Sequence, residues 1–201
     1  MRKLPPSGLI VSCYLESMKG CEREFIASVA HLPQVVALRV EGVANVRFAR
    51  MTAPQAYIIG LVKVWSNADR RYRITPLASA VELVVAGADM IATDCMEQYP
   101  NFFGTRIMYD VPQESIELFW GVGVERGVAQ GEIVLATTHF QRGYGLIDRW
   151  KGKFPGAIVN LEGGIETHED VKKGFMLGAD YVTVGKAIND PPTIIRRLVC
   201  G

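Results

Sequence analysis

The chain has 201 residues, 49% of them hydrophobic and 21% charged, and a formal net charge of +1. That is enough apolar surface for one sizeable core, so a single domain over residues 1–201 is expected, and α/β barrels reach this length as one domain. The near-neutral balance, with no basic stripe or acidic tail, argues against a nucleic acid or a membrane surface as partner. Four cysteines, Cys13, Cys21, Cys95 and Cys200, form no CxxC pair and read as reduced thiols of a cytoplasmic protein. The opening MRKLPPSGLIVSC imitates a signal sequence, but its apolar stretch is too short and Glu16 soon interrupts it. No run approaches the ~20 apolar residues that a membrane span needs.

Eight short β-branched runs follow in order: LIVSCYL (9–15), VVALRVE (35–41), IIGLVKV (58–64), MIATDCM (90–96), RIMYDV (106–111), IVLATTHF (133–140), AIVNLEG (157–163) and YVTVGKA (181–187). Each is continuously apolar at its start and polar at its end, the pattern of strands buried on both faces of a parallel sheet. Helical spacing fills most of the intervals, at 22–31, 77–87, 114–127, 168–178 and 192–199, with shorter stretches at 43–51 and 144–150. Thr75-Pro76 and Asp190-Pro191 place a capping side chain before a proline at the first helical position, and Thr167 stands three residues before Asp170. Gly87, Gly131 and Gly178 close helices just before strands, where a left-handed C-terminal cap favours glycine.

The segments AGADMIATD (86–94), AQGEIVLATT (129–138) and LGADYVTVG (177–185) repeat one grammar of helix end, glycine and strand. Eight strands alternating with helices in this way point to a (β/α)8 TIM barrel, with an open doubly wound sheet as the alternative. One interval is short: EQYPNFFGT (97–105) cannot hold a crossover helix, since a parallel connection needs about a dozen residues or more. An outer helix is therefore expected to be missing or shortened between the fourth and fifth strands. Tyr99, Phe102 and Phe103 would cover the sheet there, or meet a second copy in a homodimer.

The strand ends of such a barrel converge on one mouth. Here they carry Ser12 and Tyr14, Arg39 and Glu41, Lys63, Asp94, Asp110, Thr137, Thr138 and His139, Asn160 and Glu162, then Gly185 and Lys186. Ser12, Tyr14, Arg39, Asp110 and Thr138 are candidates for binding substrate. Lys63 ends an apolar strand without another polar group, and desolvation there lowers a lysine toward a general base or a Schiff-base amine. A lysine paired with Asp94 or Glu41 is the plainer reading. Lys63 ends the third strand and Glu162 the seventh, half a ring apart, so they would face each other across the mouth. A carbon between them would offer one face to an amine and the other to a carboxylate, as proton removal and redelivery require. Gly163-Gly164 and Gly185-Lys186 follow the last two strands, where backbone N–H groups commonly cradle a phosphate. No HxxxH or similar spacing supports a metal site, and no cofactor is implied.

In order, GLIVSC, ALRVEG, IIGLVK with a following ITP, GADMIATD, MYDV, ATTHF, NLEGGIETHEDVKKGFMLGADYVTVGKAI and PPTIIRRLV resemble the N-acetylmannosamine-6-phosphate 2-epimerase family. The resemblance spans nearly the whole chain. It implies interconversion of N-acetylmannosamine 6-phosphate and N-acetylglucosamine 6-phosphate by a lysine and a glutamate that transfer the C2 proton, which fall on Lys63 and Glu162. Arg39 falls on the family's substrate-holding arginine and Asp110 on its strand-five aspartate. Against the family pattern, Tyr14 replaces a glutamine, Val64 and Gly164 replace arginines, Glu41 replaces an asparagine and Lys186 replaces a small residue. Segments after the fourth and sixth strands are shortened. A Schiff-base lyase using Lys63, or a barrel that binds a different small polar ligand or a partner without catalysis, is the alternative.

Overall fold

The structure, a computed structural model, describes residues 2–13, 19–66, 71–74, 77–93, 106–111, 126–128, 130–137 and 140–189, with the side chains at 63–66, 71–74, 77–78, 106, 111 and 140–144 excepted. Its strands are β1 (Gly8–Ser12), β2 (Val35–Glu41), β3 (Tyr57–Leu61), β4 (Lys63–Ser66), β5 (Arg71–Ile74), β6 (Met90–Thr93), β7 (Arg106–Val111), β8 (Ile133–Thr137), β9 (Ile158–Glu162) and β10 (Tyr181–Val184). The helices with assigned bounds are α1 (Glu22–Val29), α2 (Val43–Thr52), α3 (Leu77–Val85), α4 (Phe140–Lys153), α5 (His168–Met176) and α6 (Lys186–Asn189).

Eight of the strands close a parallel barrel, in the order β1, β10, β9, β8, β7, β6, β3, β2 and back to β1. Closure disposes of the open doubly wound sheet. The run of buried residues along each strand follows from two apolar faces rather than one. Ile10, Ala37, Ile59, Met90, Met108 and Val134 fill the interior, while Val11, Leu38, Ile58, Ile91, Leu135 and Val182 face the helices. From the helices, Ile26, Val46, Leu83, Ile147 and Trp150 pack onto that outer face. Leu4 joins the interior cluster, and the Tyr181 hydroxyl donates to the Pro5 carbonyl, so the N-terminal segment stoppers the barrel where its strands begin.

The helix caps form as the residue types require. Thr167 and Asp170 make a reciprocal capping box at the start of α5, with the Asp170 N–H donating to Thr167 Oγ1 at 3.1 Å and the Thr167 N–H to Asp170 Oδ2 at 2.9 Å. Slight burial raises the Asp170 carboxyl, but the N–H groups of Glu166 and Thr167 outweigh it and hold the group below the usual aspartate range.

The Gly-Ala-Asp repeat becomes one hydrogen-bonding device used twice. Gly87 (φ 113°) and Gly178 (φ 91°) end α3 and α5, and the next residue turns its N–H back onto the helix, Ala88 to Leu83 O at 3.0 Å and Ala179 to Gly174 O at 3.2 Å. The aspartates then grip the preceding barrel strand at two points. Asp89 donates its N–H to Ile58 O (2.8 Å) and accepts the Ile58 N–H on Oδ2 (3.0 Å), and Asp180 does the same with Val159 (2.9 and 2.8 Å). A cation from the helix one unit earlier completes each device: Arg50 on α2 reaches Asp89 at 2.5 Å and Lys151 on α4 reaches Asp180 at 3.1 Å. The third copy keeps its glycine cap at Gly131 (φ 68°), with Glu132 instead of the Ala-Asp pair. The Asp89 side chain is 6% exposed and the Asp180 side chain 29%. Asp89→Ala is therefore expected to destabilise by about 2–4 kcal/mol and Asp180→Ala by about 1 kcal/mol, since a buried paired charge is the costlier one to lose. Urea unfolding at neutral pH measures both, and equal losses would contradict this account.

Two boundaries differ from the expectation. The third barrel strand does not continue to Val64. Its pairings with β2 and β6 end at Leu61, the Val62 N–H donates to Ala92 O at 3.1 Å, and Lys63 opens an antiparallel hairpin of β4 with β5. Strand β2 ends at Glu41, opposite Leu61; beyond Val62 the chain pairs with itself, and the β-formers Trp65, Tyr72 and Ile74 favour that. Helix α4 runs from Phe140 to Lys153 rather than over 144–150, so the segment after the sixth barrel strand holds a full helix. Gly143 and Gly145 mask it in the sequence, each weakening a helix by about 1 kcal/mol, but Ile147 and Trp150, both 1% exposed, bind it to the barrel. The expected gap in the helical layer between β6 and β7, with its aromatic cluster, lies outside the described residues, as do Thr75-Pro76, Asp190-Pro191, most of 114–127 and all of 192–199. Among the described residues no helix is long and apolar enough to cross a membrane.

Candidate active site

Inward-facing positions change character along the strands. Near the strand starts they are Tyr57, Met90, Met108 and Tyr181; near the ends they become Ser12, Arg39, Asp110, Asn160, Glu162 and Thr183, all buried. The period-two alternation of a strand places Asn160 and Glu162 on one face, two residues apart, and the barrel register sets Thr183 beside Glu162 and Arg39 beside Ser12.

Arg39 is the hub. Its Nη1 donates to Glu162 Oε2 and its Nη2 to Asp110 Oδ2, tying β2 to β9 and β7 across the barrel interior. The Arg39 side chain is 1% exposed and Asp110 is fully buried, so the three charges sit in a dry, low-dielectric space. Asn160 Nδ2 adds a second donor to Glu162 Oε2 at 3.2 Å, and Thr183 Oγ1 donates to Asn160 Oδ1 at 2.8 Å. The Glu162 backbone is held as well, its N–H donating to Thr137 Oγ1 at 3.3 Å.

The glycine loops lie at the same end. Gly163 and Gly164 have φ of 78° and 81°, a left-handed pair that a side chain would strain, although a Cβ at Gly164 would meet nothing within 4 Å. Gly185 packs against Ser12, its carbonyl accepts the N–H groups of Ile188 (2.9 Å) and Asn189 (3.2 Å), and the exposed Lys186 opens α6. Asn189 Nδ2 donates to Ser12 O at 2.7 Å and fastens this short helix to the end of β1.

The structure thus brings together Ser12, Arg39, Asp110 and Glu162, and puts Gly163, Gly164, Gly185 and Lys186 beside them in sequence and topology. Tyr14 and Thr138 lie outside the described residues, as do Asp94 and His139. The backbone of Lys63 is described, two residues beyond the inward-facing Leu61, but its side chain is not. Glu162 has Arg39 as a partner. Sequence reasoning noted Asn160 only as a polar strand end and missed Thr183 and Asn189. Thr183 could have been found from alternation, since it stands two residues before Gly185 on the last strand; nothing in the sequence marks Asn189. Cys13, next to Ser12, is no nucleophile: burial pushes its thiol up to about 12. Among the described residues no group of three or more His, Cys, Asp or Glu could hold a metal ion.

Residues 24–111 match a family model described as "Putative N-acetylmannosamine-6-phosphate epimerase". A protein of Caldanaerobacter subterraneus subsp. tengcongensis, described in the same words but ending in 2-epimerase, is 30% identical over 96% of this chain and 90% of its own length. One of Synechococcus elongatus with that description is 28% identical over 90% of this chain and 87% of its own. Among solved structures, the N-acetylmannosamine-6-phosphate 2-epimerase of Clostridium perfringens superposes with a TM-score of 0.55 at 23% identity, covering 96% of this chain and 92% of that one, which supports the barrel fold. With 30% identity extending over nine-tenths of a relative, and with the arginine, aspartate and glutamate of the resemblance gathered at one barrel mouth, the chain belongs to the N-acetylmannosamine-6-phosphate 2-epimerase family.

Proposed function

We propose that this chain epimerises C2 of N-acetylmannosamine 6-phosphate to give N-acetylglucosamine 6-phosphate, with Glu162 and Lys63 as the proton-transfer pair. The observation that carries the reading is the Glu162 carboxylate, buried at the strand ends and held by Arg39, which also binds Asp110. In the ring-opened sugar the C1 carbonyl acidifies the C2–H. One member of the pair takes that proton, the C–H electron pair moves into a C1–C2 double bond, and the carbonyl oxygen gains the charge. As the carbonyl re-forms, the other member delivers a proton to the opposite face of C2. Lys63 fits the second role because it follows the strand opposite β9 in the ring. Arg39 and Asp110 keep the glutamate in place, and Ser12, Tyr14 and Thr138 are the proposed contacts to the sugar.

We assign the 6-phosphate to the loops at Gly163-Gly164 and Gly185-Lys186. The first N–H groups of a helix have no intrahelical acceptor, and Lys186 adds a charge where Gly164 lacks one. The free thiols of Cys13 and Cys21 suit a cytoplasmic enzyme.

The test is deuterium incorporation at C2 of N-acetylmannosamine 6-phosphate in heavy water, followed by NMR. The expected outcome is exchange at C2 together with the appearance of the epimer, and a kcat/KM lower by about 100-fold for the sugar without its phosphate, as befits the loss of a charge-assisted anchor. A correctly folded protein that neither exchanges nor epimerises overturns the assignment. Trapping by borohydride plus substrate would instead favour a Schiff-base lyase.

A further inference from the structure

We propose that Thr183 and Asn160 are positioning residues that orient the Glu162 carboxylate, acting as a two-step hydrogen-bond relay from β10 through β9. This rests on the reading that Glu162 exchanges the C2 proton. The geometry is directional. Thr183 Oγ1 donates to Asn160 Oδ1 at 2.8 Å. The amide nitrogen is thereby turned to the other side, where Nδ2 donates to Glu162 Oε2 at 3.2 Å and lies 4.0 Å from the Met108 sulfur, a weak acceptor. An amide flipped by half a turn would set Oδ1 against the carboxylate, oxygen to oxygen. The carboxylate, which only accepts, opposes that flip, and the Thr183 hydroxyl holds the oxygen end of the amide in place.

The relay is dry. Asn160 is fully buried, Thr183 is 4% exposed and Glu162 is 9% exposed, so water has little access to replace a missing bond. Arg39 reaches the same Oε2 from β2. Two donors from different strands on this one oxygen fix its position more tightly than one donor alone. Proton transfer depends steeply on such placement, and a misplacement of about 1 Å can cost about 100-fold in rate.

Thr183→Val keeps the side-chain shape and removes only the hydroxyl; Thr183→Ala removes it with less bulk, and the result is read on whichever variant retains the wild-type circular dichroism. The expected outcome is a kcat for C2 epimerisation lower by about 10- to 100-fold, with KM within about twofold. The acid limb of the kcat profile should move to higher pH, because a carboxylate that loses a donor holds its proton more tightly. Thr183→Ser should restore both rate and limb. A folded Thr183→Val with wild-type kcat and an unmoved limb overturns the relay, and so does a loss of rate that Thr183→Ser fails to rescue. Glu162→Gln separates the two levels: if that variant stays active, the underlying assignment fails; if it is inactive while Thr183→Val is fully active, only the relay fails.

Discussion

Glu162→Gln is expected to abolish C2 exchange, lowering kcat by about a thousandfold or more, while leaving the protein at least as stable as the wild type. The two effects have one cause. A glutamine cannot shuttle the proton, and removal of one of two proton-transfer groups forfeits the usual contribution of general acid–base chemistry, about 10²–10⁴-fold. The substitution also replaces a buried charge by a neutral amide while Arg39 keeps Asp110 as a partner, so the desolvation cost of one charge falls away. The amide oxygen can still accept from Arg39 and Asn160, so those two donors keep their acceptor. Active sites often hold charge that is poor for stability, and Glu162→Gln tests this for the carboxylate. Lys63→Ala should be equally inactive. Exchange rates from NMR and unfolding in urea separate the predictions. Survival of more than about a tenth of the activity in either variant would discard the proton-transfer pair, and a marked loss of stability in Glu162→Gln would discard the charge argument.

The barrel was legible because its cause is local. Strands such as VVALRVE and RIMYDV are apolar on both faces and polar at one end, and the glycines at 87, 131 and 178 punctuate the helices with positive φ. The repeat of Gly-Ala-Asp was visible as a pattern, but its function as a strand grip needed the long-range partners Ile58 and Val159, which no local window contains. The hairpin after β3 was hidden because IIGLVKV reads as one uninterrupted strand; its ladder with β2 ends at Glu41, opposite Leu61, and the chain then pairs with itself. The glycines of α4 pointed away from a helix that the burial of Trp150 restores.

At the site, Arg39, Asp110 and Glu162 could be chosen individually as charged residues at strand ends. Their joint geometry could not, because three side chains from β2, β7 and β9 meet only once the ring closes. The strand count sets Lys63 across the mouth from Glu162; the guanidinium bound to Glu162 from β2 is a partner that the strand count does not reveal. Asn160 is marked only as a polar strand end, and Thr183 not at all, for the complementary reason. They are neutral, and the value of a neutral hydrogen-bonding residue lies in its orientation toward a neighbour.

Arg39→Met should destabilise the protein by about 3–5 kcal/mol, the usual loss when one partner of a buried ion pair is removed and the other charge is left behind. Here two carboxylates are left, Asp110 fully buried and Glu162 nearly so, and their repulsion adds to the desolvation penalty. The apolar methionine stem fills much of the same volume, so packing loss is a minor part of the effect. Adding Glu162→Gln to Arg39→Met removes one of the two stranded charges and should recover stability, although Glu162→Gln has little effect by itself. The double-mutant cycle therefore predicts a coupling of at least about 1–2 kcal/mol between positions 39 and 162, measured by urea unfolding of the four proteins. Additive losses would mean that Arg39 contributes packing alone, and the buried cluster would then be no basis for the placement of Glu162.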